Sequence, residues 1–333
     1  MKIEGPCDVM ASKENSVKVP IKWRLKAWWE GYDLDDIRDR LDCGDEIEEI
    51  EEIANDPEEI DEPECDAPEA MVWDDKRLET AQLIWGEGYC GPGGSEYVAS
   101  MSKLLGMTSK MSVAVIGAGL GGPSRVLAEE FGAWITGYEQ SENLAEKGMA
   151  LSVKAGLEGK APIQHYDPTS DEAFERTFDR AYSKEALYTV EDKDKLFTNV
   201  FEQLKDSGLF LINDYTLSSV DALANKDVQK WLRQEPSQPY PVPSETMEKL
   251  LTDCGYVLRV NEDITETYID MIAKSWAGVD KVIESLTKHP EDQSETIQRL
   301  IKEAEYWMLR SKIMKEGHVK AWRFLAYKPT EVK

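Results

Sequence analysis

The sequence predicts an α/β protein: a seven-stranded, mostly parallel sheet with helices on both faces. Three observations lead there. Short runs of β-branched and aromatic residues alternate with longer amphipathic stretches, the pattern of repeated strand–helix–strand units. One unit, Met111 to Gln140, is nearly complete by itself, with an apolar run Val113–Ile116, a glycine-rich turn, a helix from about Pro123 to Phe131 and a second apolar run Trp134–Tyr138. The chain of 333 residues is also long enough for one large domain with additions.

The Met111–Gln140 unit carries chemistry. Gly117, Gly119, Gly121 and Gly122 between a strand and a helix let backbone approach a ligand closely and aim a helix N-terminus at it. Glu139, about twenty residues on and followed by Gln140, suits a bidentate grip on ribose hydroxyls. The unit is therefore expected to bind an adenosine-containing cofactor. The turn alone leaves the cofactor open, because Gly117-Ala-Gly119-Leu-Gly121-Gly122 fits the G-x-G-x-x-G fingerprint of NAD- or FAD-dependent oxidoreductases and equally the looser G-x-G-x-G loop of S-adenosylmethionine-dependent enzymes.

Taken in order, the chain opens with an arm, residues 1–43. Its Val17–Asp39 stretch sets Trp23, Trp28, Trp29 and Tyr32 among Lys18, Lys22, Arg24 and Lys26. Three readings stay open: an arm packed on the body or on a second subunit of a homo-oligomer, an interfacial helix on an anionic membrane surface, or a lid over the active site. Residues 44–70 form an acidic linker, with fourteen Asp or Glu and no Lys or Arg between Gly44 and Glu69; such a segment repels itself and is expected to be disordered, or else to strap the basic arm. Residues 71–330 resume globular patterning. Asp74–Trp85 has helical character, Trp85–Gly94 is a glycine-rich loop, and Ser95 is expected to cap a helix to about Leu105. Beyond Gln140, helices are expected over Glu142–Ala155 and Lys193–Leu204. Strands are expected at Pro162–Tyr166, Phe178–Tyr182, Leu209–Asn213, Val257–Val260 and Ala321–Tyr327, with a helical insertion at about 262–315 broken near Pro290.

Acidic residues exceed basic ones by 65 − 39 = 26, which argues against a nucleic-acid partner, since a phosphate backbone is held through Lys and Arg. Cys7, Cys43, Cys65, Cys90 and Cys254 are odd in number and scattered, the usage of a reducing cytoplasm. His165, His289 and His318 have no ligand spacing, so no metal is expected. No signal peptide and no apolar run of transmembrane length is evident.

Further along, Phe178-Asp-Arg-Ala-Tyr-Ser-Lys-Glu-Ala-Leu-Tyr-Thr-Val190 and Leu204-Lys-Asp-Ser-Gly208-Leu-Phe-Leu-Ile-Asn-Asp-Tyr215 decide between the cofactors. These strings resemble the class I S-adenosylmethionine-dependent methyltransferases, whose fold is Rossmann-like. Within that class the chain is most similar to the phosphoethanolamine N-methyltransferases. Their "YSRDAILH" is echoed by Tyr182–Thr189, their "SDY" by Asn213–Tyr215, and their "FGENYISSGG" loop by Trp85–Gly94. The resemblance covers roughly Trp73 to Lys328 and implies S-adenosyl-L-methionine as cofactor. It implies that Gly117, Gly119 and Gly121 pass the methionine end, that Glu139 holds the ribose and that Asp167 contacts the adenine. Tyr182 and Ser183 would border the methionine portion, and the loop with Tyr89, Gly93 and Gly94 would close over the cofactor.

The chain departs from the pattern where chemistry is done. Val115 stands where most relatives have an Asp, and Trp73 and Thr189 replace a tyrosine and a histidine around the acceptor nitrogen. Glu185 replaces the acceptor-binding Asp, one methylene longer. Methyl transfer is an in-line displacement in which the protein mainly aligns and desolvates the reactants. Glu185 is thus the candidate base or counter-ion for an amine, and Trp73, Trp85 and Tyr89 a candidate aromatic wall for a methylated ammonium. Tyr215, Arg233 and Tyr240 complete the candidate acceptor set. The leading expectation is a methyltransferase acting on the nitrogen of a small-molecule acceptor. The alternatives are a lipid methyltransferase at a membrane surface, an NAD- or FAD-dependent oxidoreductase, and a cofactor-binding protein without catalysis.

Overall fold

A computed structural model describes residues 71–168, 170, 174–279, 282 and 294–330. The basic arm, the acidic linker and the expected helix break near Pro290 lie outside those residues. Its strands are β1 (Ser112–Ile116), β2 (Trp134–Glu139), β3 (Ile163–His165), β4 (Phe178–Lys184), β5 (Leu204–Leu217), β6 (Val257–Asp263) and β7 (Val319–Tyr327), in one sheet ordered β3-β2-β1-β4-β5-β7-β6. The first five pair in parallel, while β7 runs antiparallel between β5 and β6. The expected seven-stranded, mostly parallel sheet is what forms.

Sequence pattern explains the burial. The parallel strands are near-continuous apolar runs, because helices cover both their faces; Val113 to Ile116 and Phe210 to Ile212 are almost wholly buried. Ile116, Tyr138, Phe178, Phe197, Phe210 and Phe324 share one core cluster. At the edge, β6 alternates half-buried and exposed residues. Strand β5 runs beyond Asn213 because β7 pairs with it as far as Leu217.

The helices are α1 (Asp75–Trp85), α2 (Gly94–Ser102), α3 (Gly122–Phe131), α4 (Glu142–Lys154), α5 (Lys193–Gln203), α6 (Lys226–Gln234), α7 (Ser244–Asp253), α8 (Thr265–Trp276) and α9 (Ser294–Lys315). Side-chain caps start several of them: Asp74 accepts from Arg77 N at 2.8 Å, and Ser141 from Leu144 N at 3.4 Å. Ser95 is not a cap, contrary to expectation. Gly93 turns the chain into α2 in a left-handed conformation that Ser95, one residue inside the helix, does not need to adopt.

Two features position the site. The strand order reverses between β1 and β4, so a crevice opens beyond their carboxyl ends, where α/β sheets hold ligands. Over it lie elements outside the sheet's own crossovers: α9 packs on α1, α6 and α8, and a buried Arg77–Glu303 ion pair ties α1 to α9. Among the described residues no helix is long and apolar enough to cross a membrane.

Candidate active site

A cavity of about 150 Å³ occupies the crevice. The β1–α3 turn forms one wall. Gly117 N and Ala118 N both donate to Tyr138 O, at 2.8 and 3.0 Å, so the turn is fastened to the end of β2. There the Glu139 carboxylate accepts from Gly119 N at 2.7 Å and from Ser141 N at 3.0 Å. Burial raises its pKa, and these backbone donors only partly offset that. A buried carboxylate held against a glycine turn at the end of the second strand fits a ribose. Tyr89 adds a buried hydroxyl without a hydrogen-bond partner in the protein, a group that a bound ligand would satisfy.

Gly117 itself is at φ 69°, and a Cβ there would collide with the Ala186 methyl. Gly117→Ala is expected to destabilise the fold by about 2 kcal/mol or more and to displace the loop that Ala186 shares with Glu185. A lowered melting temperature together with lost cofactor binding would be the measured result.

The β4 loop supplies the second wall. Glu185 sits at φ 56°, in the left-handed region, a conformation that costs a non-glycine residue on the order of 1 kcal/mol and tends to persist where function needs it. Its backbone N–H donates to Asn213 O at 2.8 Å, its carboxylate pairs with Lys184, and Tyr215 Oη donates to it at 3.3 Å. Gly91 permits this, since a Cβ there would come within 2.5 Å of the carboxylate. Asp214 pins the same loop by accepting from Leu187 N at 2.5 Å, Tyr188 N at 3.3 Å and Tyr215 N at 2.7 Å. Burial pushes Asp214 up to about 7 and Lys193, within its field, down to about 8.

The third wall comes from far along the chain. Tyr306, Trp307 and Arg310, one face of α9, border the cavity with Glu235, which follows α6. The Arg310 guanidinium pairs with Glu235 and lies 4.6 Å from the Trp307 ring and 4.7 Å from those of Tyr215 and Tyr306. Glu235 also accepts from Tyr306 Oη and Tyr188 Oη, each at 2.7 Å. Burial disfavours the Arg310 charge, but the Glu235 carboxylate together with the hydroxyls of Tyr306, Tyr215 and Tyr188 more than offsets this. Cation–π contacts contribute roughly 0.5–2 kcal/mol each, whereas stripping a partner from a buried ion pair costs roughly 3–5 kcal/mol. The ion pair decides the geometry.

Of the residues singled out from sequence, Trp73, Tyr89, Gly117, Gly119, Glu139, Gln140, Glu185 and Thr189 border this one cavity. The others do not. Gly93 and Gly94 shape the entry into α2, and Gly121 turns the chain into α3. Tyr182 and Ser183 are wholly buried within β4, with Ser183 Oγ donating to Ile116 O at 2.9 Å. Asp167 is exposed beyond β3. Trp85 lies behind the wall, 4.6 Å from the Trp307 ring. Tyr215 is buried and does not border the cavity; it meets the site through Glu185, Tyr188 and Arg310. Arg233 is exposed on α6, and Tyr240 supports the β4 loop by its backbone, donating to Tyr188 O at 2.6 Å. Trp73 has Arg77 stacked 4.2 Å over its ring, so one face is already covered. Sequence reasoning missed Tyr188, Glu235, Tyr306, Trp307 and Arg310. The one signal for the last three was aromatic and basic residues at helical spacing within a long amphipathic helix.

Sequence comparison agrees with this architecture. Residues 99–259 match the family described as "Methyltransferase domain". The sheet order and the glycine turn beside Glu139 are those of a Rossmann-like fold, and in this the chain is similar to the class I S-adenosylmethionine-dependent methyltransferases. Its curated relatives include phosphoethanolamine N-methyltransferase 1 of Triticum aestivum, 28% identical over 200 residues, which are 60% of this chain and 39% of the wheat protein. The phosphoethanolamine N-methyltransferase of Plasmodium falciparum is 26% identical over 200 residues, or 60% of this chain and 73% of that one. The chain thus spans about two fifths of the plant relatives it matches. Among solved structures, Haemonchus contortus phosphoethanolamine N-methyltransferase 2 in complex with S-adenosyl-L-methionine shares the fold, with a TM-score of 0.66 at 20% identity over 78% of this chain and 58% of that one.

Proposed function

We propose that this chain transfers a methyl group from S-adenosyl-L-methionine to the nitrogen of a small amine. The observation that carries the reading is the Glu139 carboxylate clamped on Gly119 N at 2.7 Å, in the same cavity that Glu185 enters in a left-handed backbone conformation. The relatives named as phosphoethanolamine N-methyltransferases support an amine acceptor.

In this reading Gly117 and Gly119 let the backbone approach the cofactor, Glu139 and Gln140 hold its ribose side, and Tyr89 closes over it. Bound there, the cofactor supplies an electrophilic methyl on a sulfonium. Glu185 takes or balances the proton of the acceptor amine, so that a neutral nitrogen presents its lone pair. Lys184 and Tyr215 fix the direction of that carboxylate, and Asp214 fixes the loop that carries it. Trp73, Trp307 and Tyr306 exclude water and favour the methylated, cationic product through their ring faces. Thr189 Oγ1 donates to Ala186 O at 2.7 Å and serves the loop rather than proton transfer.

Calorimetric titration with S-adenosylmethionine, S-adenosylhomocysteine and NAD tests the cofactor, and mass detection of methylated products from a panel of small amines tests the reaction. Micromolar binding of the first two ligands is expected. Binding of NAD alone would overturn the proposal.

A further inference from the structure

The reading above leaves the acceptor's chemical class open, and the charges around the cavity narrow it. Among the described residues bordering it there are two cations, Lys184 and Arg310, and three carboxylates, Glu139, Glu185 and Glu235. Glu139 is committed to the glycine turn. Each cation is paired with a carboxylate of the same cavity, Lys184 with Glu185 and Arg310 with Glu235, and all four of these side chains are nearly or wholly buried. Arg77, just behind Trp73, is paired in turn with Glu303.

A phosphomonoester is a dianion that needs uncompensated positive charge and several donors. Here it would have to draw Arg310 away from a carboxylate that also accepts from Tyr306 and Tyr188 at 2.7 Å, leaving that carboxylate buried beside the incoming phosphate. Arg310 Nε has no partner in the protein, but one donor on a neutralised guanidinium does not offset a dianion's lost hydration. Trp307 Nε1, also without a partner, suits an uncharged oxygen. The aromatic rings around the ion pairs favour an ammonium.

We propose that the acceptor taken by this cavity is an amine bearing no phosphate, so that the Glu235–Arg310 pair is a specificity determinant separating this chain from its phosphoethanolamine-methylating relatives. The inference rests on the methyltransferase reading only for the word acceptor; the exclusion of phosphate follows from the charges of the described residues.

The test uses the full chain, with and without S-adenosylhomocysteine, titrated with phosphoethanolamine, inorganic phosphate and ethanolamine. The wild-type protein is expected to bind neither phosphate compound at millimolar concentration. Glu235→Gln, which keeps the shape and leaves Arg310 unneutralised, is expected to gain affinity for both phosphate compounds by about tenfold or more. Wild-type binding of phosphoethanolamine in preference to ethanolamine would overturn the proposal, as would a folded Glu235→Gln protein with no gain for phosphate. Should that variant fail to fold, the wild-type comparison decides alone. Binding of S-adenosylhomocysteine, read separately, reports on the cofactor and not on this exclusion.

Discussion

Glu139→Gln weakens binding of S-adenosylhomocysteine by about tenfold to a hundredfold, the range expected when charge-assisted hydrogen bonds to a ligand become neutral ones. The effect has two sources. The ribose loses a carboxylate acceptor, and the glycine turn loses part of the clamp on Gly119 N and Ser141 N, because an amide offers one acceptor oxygen where the carboxylate offers two. The pH dependence has a definite sign. Burial holds the Glu139 pKa above its ordinary value, so on acidification the side chain takes up a proton before an exposed glutamate would. Cofactor affinity therefore begins to fall at a higher pH than an exposed glutamate would impose, while Glu139→Gln, with nothing to titrate there, gives a flatter profile. Calorimetry from pH 8 to pH 5 on both proteins checks this; superimposable wild-type and variant curves would refute it.

The second large effect belongs to Glu185. Glu185→Gln is expected to lower kcat by about 10²- to 10⁴-fold, the usual contribution of a positioned acid–base group, with little change in affinity for S-adenosylhomocysteine. The amide keeps the size and the hydrogen bond from Tyr215 but can neither accept a proton nor balance an ammonium. A purely structural role predicts a different outcome, in which melting temperature drops and activity follows the folded fraction. Measuring kcat beside the melting curve separates the two, and a variant that melts lower yet turns over normally would remove Glu185 from the chemistry.

The sequence made the sheet legible because its signals are local. Runs such as Val113–Ile116 and Leu209–Asn213 are short and apolar, and the glycine turn names the loop between β1 and α3 without reference to anything distant. Glu139 was legible for the same reason, through its fixed interval from that turn. What escaped was set by tertiary contacts. Nothing in the string Tyr306-Trp307-Met308-Leu309-Arg310 says which face of α9 meets the crevice, and the pairing of Arg310 with Glu235 joins residues 75 apart. Trp85 and Tyr215 were recognised as aromatic residues near the right loops, but packing places them one layer behind Trp307 and Glu185. Ser95 carries the chemistry of a cap, and the backbone of Gly93 took the position instead.

The place of β7 in the sheet has a consequence for how the protein is made. Among the described residues strand β6 has no neighbour except β7, and β7 joins β5 by contacts such as Asn213 with Arg323. While a ribosome is still extending the chain, β5 therefore presents a bare edge and β6 has nothing to pair with, until the strand that sits between them emerges after more than a hundred further residues. Loop-closure entropy makes such distant pairings the slow ones. The half of the sheet that bears the glycine turn can assemble early, whereas closure of the other half waits for the last strand.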